Sequence, residues 1–446
     1  MDNYVVQRVT APLDIDVEVP GSKSITNRAL LMAAMADGWS ELDGVLFSED
    51  SEFFLQALQA LGFALQVDKE KKKVRILGQG GNIPKKGGDV FVGSAGTAAR
   101  FLTAFLAMSD GSYRLDASEQ MKKRPMRELL EALEGLGAGI TFEGEPWTFP
   151  MRIEGIRNAS EEKRAAAQTE LNIDRSSQFL SALLMTAPLC FGELTVHLTG
   201  KRNARSYVEM TEQMMKQFGH PGVKKPDGNC YLVEGFSYAA REYQIEPDVS
   251  AACYFYAMAA VTGGRAVVAR MRRDSLQGDM RFLNVLEKMG CTLSWETDGS
   301  VGGNVTERLV LTGPEGGHLK GVSASFSDFS DQALTMAAIA PYGDAPVTIT
   351  GIAHIRGQES DRVAVICKEL ARMGIRCEET EDSVTVYPGT PKGAEIETYE
   401  DHRAAMAFAL TGLRTEGVVI KNPGCCKKTF PEYFQIFSRL VSAKAE

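Results

Sequence analysis

The sequence lacks the features that would assign it quickly to a metal-binding or membrane class. Its eight cysteines form no C-x-x-C pair and no Cys/His spacing of the zinc type, so we expect reduced thiols and no metal. Its most apolar segments, Phe179–Phe191 and Ala251–Val261, are shorter than the roughly 20 residues that a membrane span needs. The first 20 residues carry four acidic side chains and resemble neither a secretory signal nor a transit peptide. We therefore expect a cytoplasmic protein that does not bind a membrane.

An excess of basic residues is also missing. The formal net charge of −9 over 446 residues argues against nucleic acid as a partner. The stretch Gly21–Ser24 (GSKS) is not a Walker A loop, and Gly93–Arg100 (GSAGTAAR) lacks the spacing of a dinucleotide fingerprint. We therefore predict no organic cofactor, and we consider small anionic substrates instead.

What the sequence does contain is an internal repeat. Five amphipathic stretches with apolar residues three or four apart end in an apolar residue followed by glycine, namely Leu61-Gly62, Leu136-Gly137, Phe218-Gly219, Met289-Gly290 and Met373-Gly374. Glycine at this position supplies the left-handed residue that ends a helix. A second, more apolar helix precedes each stretch, and β-rich runs follow. A sixth stretch has its apolar residues at Phe434, Phe437 and Leu440. This pattern predicts six units of strand–helix–strand–helix–strand, divided three and three, with a crossing near Tyr238–Glu246.

The apolar helix of each unit begins with polar and often cationic residues. The six starts are Gly21–Arg28, Gly93–Arg100, Asp174–Phe179, Pro247–Ala252, Ser327–Gln332 and Tyr399–Arg403. Because a helix N-terminus has free N–H groups and a positive dipole end, such starts favour anions, phosphate above all. Taken alone, each start is more simply explained as an ordinary N-cap, and each basic residue as a solvated surface charge. Their shared position favours a site for polyanionic small molecules.

Several motifs, taken in order, resemble those of the 5-enolpyruvylshikimate-3-phosphate synthases. They are Pro20–Ser24 with Asn27–Arg28, Gly93–Thr97 with Arg100, Arg124–Pro125, Ser176–Gln178, Asp331, Glu359–Arg362, Asp401–Arg403 and Lys428–Pro431. The resemblance runs from about residue 14 to residue 435. It implies an α/β (α+β) fold of two inside-out α/β barrels, each with three βαβαββ repeats. It implies a discontinuous domain (1–20 plus 242–446), an inserted domain (21–241) and an active site in the cleft between them.

The resemblance also implies an activity and its ligands. The family transfers the enolpyruvyl group of phosphoenolpyruvate to the 5-hydroxyl of shikimate 3-phosphate, on the route to chorismate and the aromatic amino acids. Members need no metal or cofactor, are monomers, and are the target of glyphosate. Shikimate 3-phosphate would contact Lys23, Ser24, Arg28, Thr97, Ser176, Ser177, Gln178, Arg205, Asp331 and Gln358. Phosphoenolpyruvate would contact Lys23, Gly96, Arg124, Gln178, Arg362, Arg403 and Lys428.

Such a reaction needs a base for the hydroxyl and an acid for the vinyl carbon. The candidates are Asp331 as the base, and Glu359 with Lys23 for the proton at C3 of phosphoenolpyruvate. A structural alternative exists for each carboxylate. Asp331 could cap a helix, and Glu359 could pair with Arg362 three residues later.

Four positions depart from the family pattern, namely Ser94, Ala204, His354 and Gln358. They bear on the contacts to shikimate 3-phosphate and leave open a different enolpyruvyl acceptor. Related transferases that act on a UDP-aminosugar carry a reactive cysteine five residues before the Arg-Pro pair, where this chain has Glu119. A non-catalytic anion-binding protein would have no reason to keep both Asp331 and Glu359.

Overall fold

The computed structural model describes residues 3–158, 164–201, 205–301 and 304–442. These residues form two units, which we call the discontinuous unit (Met1–Pro20 with Glu246–Glu446) and the inserted unit (Gly21–Ile245). The chain begins in the discontinuous unit with strands β1 (Tyr4–Val5) and β2 (Asp14–Val17). In β2 the side chains alternate between exposed and buried, as expected for a strand with one face on the core.

The inserted unit contains three sheets, with the strand orders β13-β3-β5-β4, β6-β7-β9-β8 and β10-β11-β12. Their strands are β3 (Asp37–Asp43), β4 (Ala64–Asp68), β5 (Lys73–Gln79), β6 (Gly87–Phe91), β7 (Ser112–Asp116), β8 (Gly139–Phe142), β9 (Met151–Glu154), β10 (Ala167–Asn172), β11 (Glu193–Thr199), β12 (Cys230–Glu234) and β13 (Glu242–Gln244). The helices are α1 (Lys23–Met35), α2 (Glu49–Ala60), α3 (Gly96–Ala107), α4 (Glu119–Lys122), α5 (Arg127–Gly135), α6 (Gln178–Thr186) and α7 (Arg205–Gln217).

One sheet shows how the repeat is built. Strand β6 leads through α3 to the parallel strand β7, and α5 then precedes the antiparallel pair β8–β9, of which β9 joins β7. The parallel step needs a crossover, which the buried helix supplies. In α3 every residue from Gly96 to Ala107 is buried, and the helix packs on α6 and α1. The buried helices of successive repeats therefore share one core within the inserted unit.

The discontinuous unit repeats this plan with sheets β15-β16-β14-β2, β17-β18-β20-β19 and β1-β22-β21. Its further strands are β14 (Arg265–Ala269), β15 (Thr292–Val301), β16 (Asn304–Thr312), β17 (Ser323–Ser325), β18 (Val347–Thr350), β19 (Cys377–Glu379), β20 (Ser383–Val386), β21 (Glu395–Ile396) and β22 (Val419–Ile420). Its helices are α8 (Val249–Thr262), α9 (Met280–Lys288), α10 (Ala333–Ile339), α11 (Arg362–Arg372), α12 (His402–Ala409) and α13 (Tyr433–Ser442). The apolar helix α10 packs on both α8 and α12 within this unit.

The glycines that were expected to end helices do so. Positive φ angles of 91°, 106°, 95°, 105° and 76° are found at Gly62, Gly137, Gly219, Gly290 and Gly374. This left-handed conformation carries no steric penalty for glycine. The predicted helix ends are therefore confirmed, and each marks the turn before the antiparallel strands of its repeat. Among the helices of the described ranges, none combines the length and the apolarity required to cross a membrane.

The crossing between the units lies within the predicted stretch Tyr238–Glu246, four residues after the boundary 241/242 that the resemblance implied. The structure changes unit between Ile245 and Glu246, because Glu242–Gln244 forms β13 and pairs in parallel with β3 of the inserted unit. Strand β2 precedes the inserted unit in the chain and pairs in parallel with β14 of the discontinuous unit. Sheets of both units are thus completed by strands that are distant in sequence, one in the inserted unit (β13) and two in the discontinuous unit (β1 and β2).

Candidate active site

Arg362 is the first residue of α11 and the centre of a buried charged cluster in the discontinuous unit. Its side chain is 1% exposed, and Nη1 donates to Asp331 Oδ1 at 2.9 Å. Nε donates to Asp401 Oδ2 at 2.8 Å, and Nη2 donates to Glu359 Oε2 at 3.1 Å. Three carboxylates therefore surround one guanidinium, whose planar fork of donors suits such a set.

A second arginine and a lysine extend this cluster. Arg403, in the first turn of α12, donates from Nη2 to Asp331 Oδ2 at 2.7 Å, so each oxygen of Asp331 faces a different guanidinium. Lys428 ends the 3-10 turn Pro423–Lys428, and its Nζ lies 3.3 Å from Glu359 Oε1. Asp331 and Glu359 are thus each held between two cationic groups.

Asp401 connects α11 to α12. It is the N-cap of α12, and its Oδ1 accepts from the backbone N–H of Arg403 at 3.0 Å, while Oδ2 accepts from Ser360 Oγ at 2.9 Å. Burial by itself lowers the pKa of Arg362, but the carboxylates of Asp401, Glu359 and Asp331 outweigh it and hold the pKa above its ordinary value. The guanidinium therefore stays charged despite its burial.

A further buried carboxyl group supports the turn that carries Asp331. Asp279 Oδ1 accepts from Gln332 Nε2 and from Ser250 Oγ, each at 2.8 Å. Gln332 follows Asp331 in the 3-10 turn Ser330–Gln332. Burial and the nearby charge of Asp331 raise the pKa of Asp279 to about 6. Asp279 and Gln332 therefore form a polar support on one side of Asp331.

The structure distinguishes the alternatives for the two candidate acid–base groups. At the start of α10 the N-cap position belongs to Gln332, without a side-chain cap hydrogen bond, so the helix-cap interpretation of Asp331 is wrong. The pairing of Glu359 with Arg362 is confirmed at 3.1 Å. Lys428 adds the second cation that the sequence pattern did not predict for Glu359.

Two of the positions that depart from the family pattern lie at this cluster. Gln358 Oε1 accepts a hydrogen bond from Arg362 Nη1. His354 Nε2 hydrogen-bonds Ser330 Oγ at 2.7 Å, one residue before Asp331. Both departures therefore contact the residues that surround the candidate base.

In the inserted unit, α1 carries Lys23, Ser24 and Arg28 in its first two turns. Lys23 Nζ lies 3.6 Å from Asp50 Oδ2. Arg28 is 1% exposed and donates from Nη1 to the carbonyl oxygen of Ser24 at 3.0 Å. Lys23 and Arg28 therefore differ in environment, since only Lys23 keeps part of its side chain at the surface.

Arg28 is held mainly by residues of α6 and α7. Its Nε donates to Thr211 Oγ1 at 2.8 Å, and its Nη2 contacts Ser181 Oγ and the carbonyl oxygen of Tyr207, both at 3.3 Å. Burial lowers the pKa of Arg28 to about 10. Most of its donors are used inside the protein, so Arg28 joins three helices in addition to its expected role as a ligand.

Helix α3 begins at Gly96, directly beside Arg124. A Cβ atom on Gly96 would lie 2.6 Å from Arg124 Nη1 and 2.9 Å from its Cζ. Glycine therefore leaves room for the guanidinium against the first turn of α3. The next residue, Thr97, accepts at Oγ1 from Asn27 Nδ2 at 2.8 Å, which ties α3 to α1.

Arg100, one turn further along α3, connects two more of the expected ligand segments. Its Nη1 donates to Gln178 Oε1 at 2.8 Å, and its Nη2 donates to the carbonyl oxygen of Pro125 at 3.1 Å. Its guanidinium lies over the ring of Phe179, 5.3 Å from the centroid. Because Pro125 follows Arg124, this one buried arginine positions both the Arg124 turn and the start of α6.

The remaining expected residues are less closely connected. Ser176 and Ser177 are buried just before α6, and Ser176 Oγ accepts from the backbone N–H of Gln178 at 3.3 Å. Arg205 is an exposed residue at the start of α7. Ser94 is partly buried in the turn before α3, and Ala204 lies outside the described residues.

Several residues that organise the charged cluster and the helix starts of the inserted unit were not predicted from the sequence. Asp401, Arg100 and Asn27 lie inside the quoted motifs, and their positions at helix starts were the available signal. Tyr254, whose hydroxyl accepts from Arg403 Nη1 at 3.4 Å, belongs to the apolar run of α8, where no local pattern marks it. Within residues 3–158, 164–201, 205–301 and 304–442, no three His, Cys, Asp or Glu side chains are grouped to hold a metal ion.

Comparisons with known proteins agree along nearly the whole chain. The family model described as EPSP synthase (3-phosphoshikimate 1-carboxyvinyltransferase) matches residues 8–437. A protein of Trichormus variabilis named 3-phosphoshikimate 1-carboxyvinyltransferase is 44% identical over 99% of this chain and 100% of its own length. One from Halalkalibacterium halodurans, named 3-phosphoshikimate 1-carboxyvinyltransferase 2, is 40% identical over 96% of this chain and 92% of its own. A solved EPSP synthase of Acinetobacter baumannii matches with a TM-score of 0.79 and 26% identity, covering 100% of this chain and 98% of that one.

The fold and the family match therefore place the chain among the carboxyvinyltransferases. Within that class the chain belongs to the EPSP synthase family.

Proposed function

We propose that this protein transfers the enolpyruvyl group of phosphoenolpyruvate to the 5-hydroxyl of shikimate 3-phosphate and releases phosphate. This is the reaction of its family, in aromatic amino acid biosynthesis. The observation that carries the proposal is the cluster in which Asp331 and Glu359 are each held between two cations. Such a cluster combines anion binding with proton transfer, and the reaction needs both.

The phosphate and carboxylate of phosphoenolpyruvate would bind the cationic groups. In the discontinuous unit these are Arg362, Arg403 and Lys428, and in the inserted unit they are Lys23 and Arg124, with Gly96 and Gln178 beside them. Arginine forks suit both anionic groups of this substrate. The support for this assignment is that Arg124 lies on the first turn of α3 and that Arg403 and Lys428 flank the carboxylates.

Shikimate 3-phosphate would bind mainly at helix starts of the inserted unit. Lys23, Ser24 and Arg28 open α1, Thr97 opens α3, and Ser176, Ser177 and Gln178 open α6, with Arg205, Asp331 and Gln358 as further contacts. Free backbone N–H groups at these starts favour a phosphate. We further propose that each unit forms an inside-out α/β barrel of three βαβαββ repeats, which the three sheets and recurring strand order of each unit support.

The reaction would proceed by addition and then elimination. Asp331 would take the proton of the 5-hydroxyl group as the oxygen of that hydroxyl attacks C2 of phosphoenolpyruvate. Glu359, with Lys23, would deliver a proton to C3, giving a tetrahedral ketal phosphate. The methyl group formed at C3 would then lose a proton as phosphate departs, and the double bond would be restored. The surrounding arginines and lysines would stabilise the charge that develops on carboxylate and phosphate oxygens.

A phosphate-release assay tests this proposal. We expect phosphate release from phosphoenolpyruvate when shikimate 3-phosphate is added, and none with UDP-N-acetylglucosamine or without an acceptor. Shikimate, which lacks the phosphate group, is the matched control and should support far less turnover. Release with the aminosugar nucleotide, or failure with shikimate 3-phosphate, would contradict the proposed acceptor.

A substitution at Gly96 tests the proposed phosphoenolpyruvate site. The added methyl group of Gly96→Ala would meet the guanidinium of Arg124 at 2.6 Å, so that side chain must move. We expect the KM for phosphoenolpyruvate to rise about tenfold and inhibition by glyphosate to weaken, with the KM for shikimate 3-phosphate little changed. Gly135→Ala is the matched control, because nothing lies within 4 Å of its added methyl group. Equal glyphosate inhibition in both variants would remove Gly96 from the site.

A further inference from the structure

The two residues before Asp401 have an unusual backbone conformation. Tyr399 and Glu400 have φ angles of 54° and 57°, and neither is glycine. Residues with a Cβ atom rarely adopt the left-handed region, and two in succession are strained unless the surroundings hold them. This loop leads directly into the N-cap residue Asp401 and the first turn of α12, which carries Arg403.

A buried carboxylate on α11 holds this loop. Glu369 is 0% exposed, and its Oε1 accepts from the Tyr399 hydroxyl at 2.7 Å. Its Oε2 accepts from the backbone N–H of Glu397 at 3.0 Å, and Arg372 Nε lies 3.3 Å from Oε1. Burial and the adjacent Glu369 carboxylate raise the pKa of Tyr399 to about 12, so its hydroxyl remains a donor at neutral pH. A charge buried this deeply needs partners, and two of them come from the loop.

Helix α11 thus makes two connections to the same segment. Arg362, at its start, binds the carboxylate of Asp401 at 2.8 Å, and Glu369, two turns later, holds Tyr399. Between them the backbone N–H of Asp401 donates to the carbonyl oxygen of Thr398 at 2.8 Å. If the loop relaxed to negative φ angles, Asp401 and the following turn would leave their positions against Arg362.

We propose that Tyr399 and Glu369 are positioning residues for Asp401 and Arg403. They keep the left-handed pair of residues in place and thereby set the arginine that contacts Asp331 at 2.7 Å. The kinetic part of this inference rests on the proposed function, since it assumes that Arg403 binds phosphoenolpyruvate. The structural part, that Tyr399 and Glu369 hold the loop before Asp401, does not depend on that assumption.

The test removes the hydroxyl oxygen of Tyr399 and then relieves the backbone strain at Glu400. We expect Tyr399→Phe to raise the KM for phosphoenolpyruvate about tenfold, while the KM for shikimate 3-phosphate changes less than about twofold. Adding Glu400→Gly, which makes one left-handed residue free of steric penalty, should bring the KM back to within about threefold of wild type. A role in general stability alone would not separate the two KM values.

Tyr342→Phe is the matched control. Tyr342 is also partly buried and donates to the carbonyl oxygen of Thr411 at 2.7 Å, and its pKa is likewise raised to about 12 by burial. It does not belong to a left-handed segment, so its loss should leave both KM values within about twofold of wild type. A similar KM change in the Tyr342 and Tyr399 variants would overturn the proposal.

Hydrogen–deuterium exchange gives a readout that is independent of activity. The backbone N–H groups of Asp401 and Arg403 are both bonded within the loop and cap, so they should exchange at least about tenfold faster in Tyr399→Phe and recover in the double variant. Unchanged exchange at these two groups would overturn the positioning role. A wild-type protein without turnover would instead contradict the proposed function, and the exchange result would still decide the structural part.

Discussion

Replacing Asp331 with asparagine should lower kcat by about 10²–10⁴, the usual worth of a positioned proton acceptor. Asparagine keeps the size of the side chain, but its amide cannot take the hydroxyl proton. Arg362 retains Asp401 and Glu359 as partners, so the variant should fold and still bind phosphoenolpyruvate through the remaining cations. Measuring the melting temperature and kcat on the same preparation separates loss of chemistry from loss of folded protein.

The control for this variant lies three residues earlier. Asp328 pairs with Arg281 at 2.8 Å, and its side chain is 27% exposed, so Asp328→Asn makes the same chemical change outside the charged cluster. We expect its kcat to stay within about twofold of wild type, because this ion pair lies outside the charged cluster and is partly open to solvent. If Asp331→Asn retained kcat within a few-fold, Asp331 would no longer be the base, and Glu359→Gln would be the next variant to test.

Replacing Arg362 with methionine should lower the free energy of unfolding by about 3–5 kcal/mol, the cost of removing one partner of a buried ion pair. The substitution leaves Asp401, which is 0% exposed, and Glu359, which is 8% exposed, without their shared cation. Turnover should be lost in the fraction that still folds, because this arginine is also a proposed phosphoenolpyruvate contact. Denaturant unfolding followed by circular dichroism measures the first effect.

Arg376→Met is the comparison for this stability change. Arg376 pairs with Glu378 at the surface, and its side chain is 67% exposed. Its loss should leave the free energy of unfolding close to that of the wild type, because exposed ion pairs contribute little. A loss below about 1 kcal/mol for Arg362→Met would mean that water replaces the guanidinium around the three carboxylates.

The repeat could be predicted from the sequence because its signals are local. A left-handed glycine after an amphipathic stretch ends a helix without help from the rest of the chain, and Gly62 and Gly374 do so in different units. The cationic helix starts at Lys23 and Arg403 are equally local. The family resemblance added the substrates, which no spacing of residues specifies.

What the sequence could not supply depends on contacts between distant residues. The boundary near Ile245 was misplaced because β13 becomes a strand only by pairing with β3, about 200 residues earlier. The helix-cap interpretation of Asp331 was wrong because its oxygens accept hydrogen bonds from two arginines, which lie 31 and 72 positions later in the chain. Tyr254 and Asp279 carry no signal in the sequence, since their roles depend on distant residues, Arg403 for Tyr254 and Gln332 for Asp279.

The pairing of β2 with β14 has a consequence for the order in which the protein forms during translation. Residues 14–17 leave the ribosome early, but their partner strand begins only at Arg265. At about 5–20 residues per second, the ribosome needs roughly 12–50 s to reach that partner. The inserted unit, whose last strand ends at Gln244, is synthesised completely within that interval. The inserted unit can therefore fold before β14 exists, whereas β2 can pair with its partner only after all of the inserted unit's residues have been joined and Arg265–Ala269 has been made.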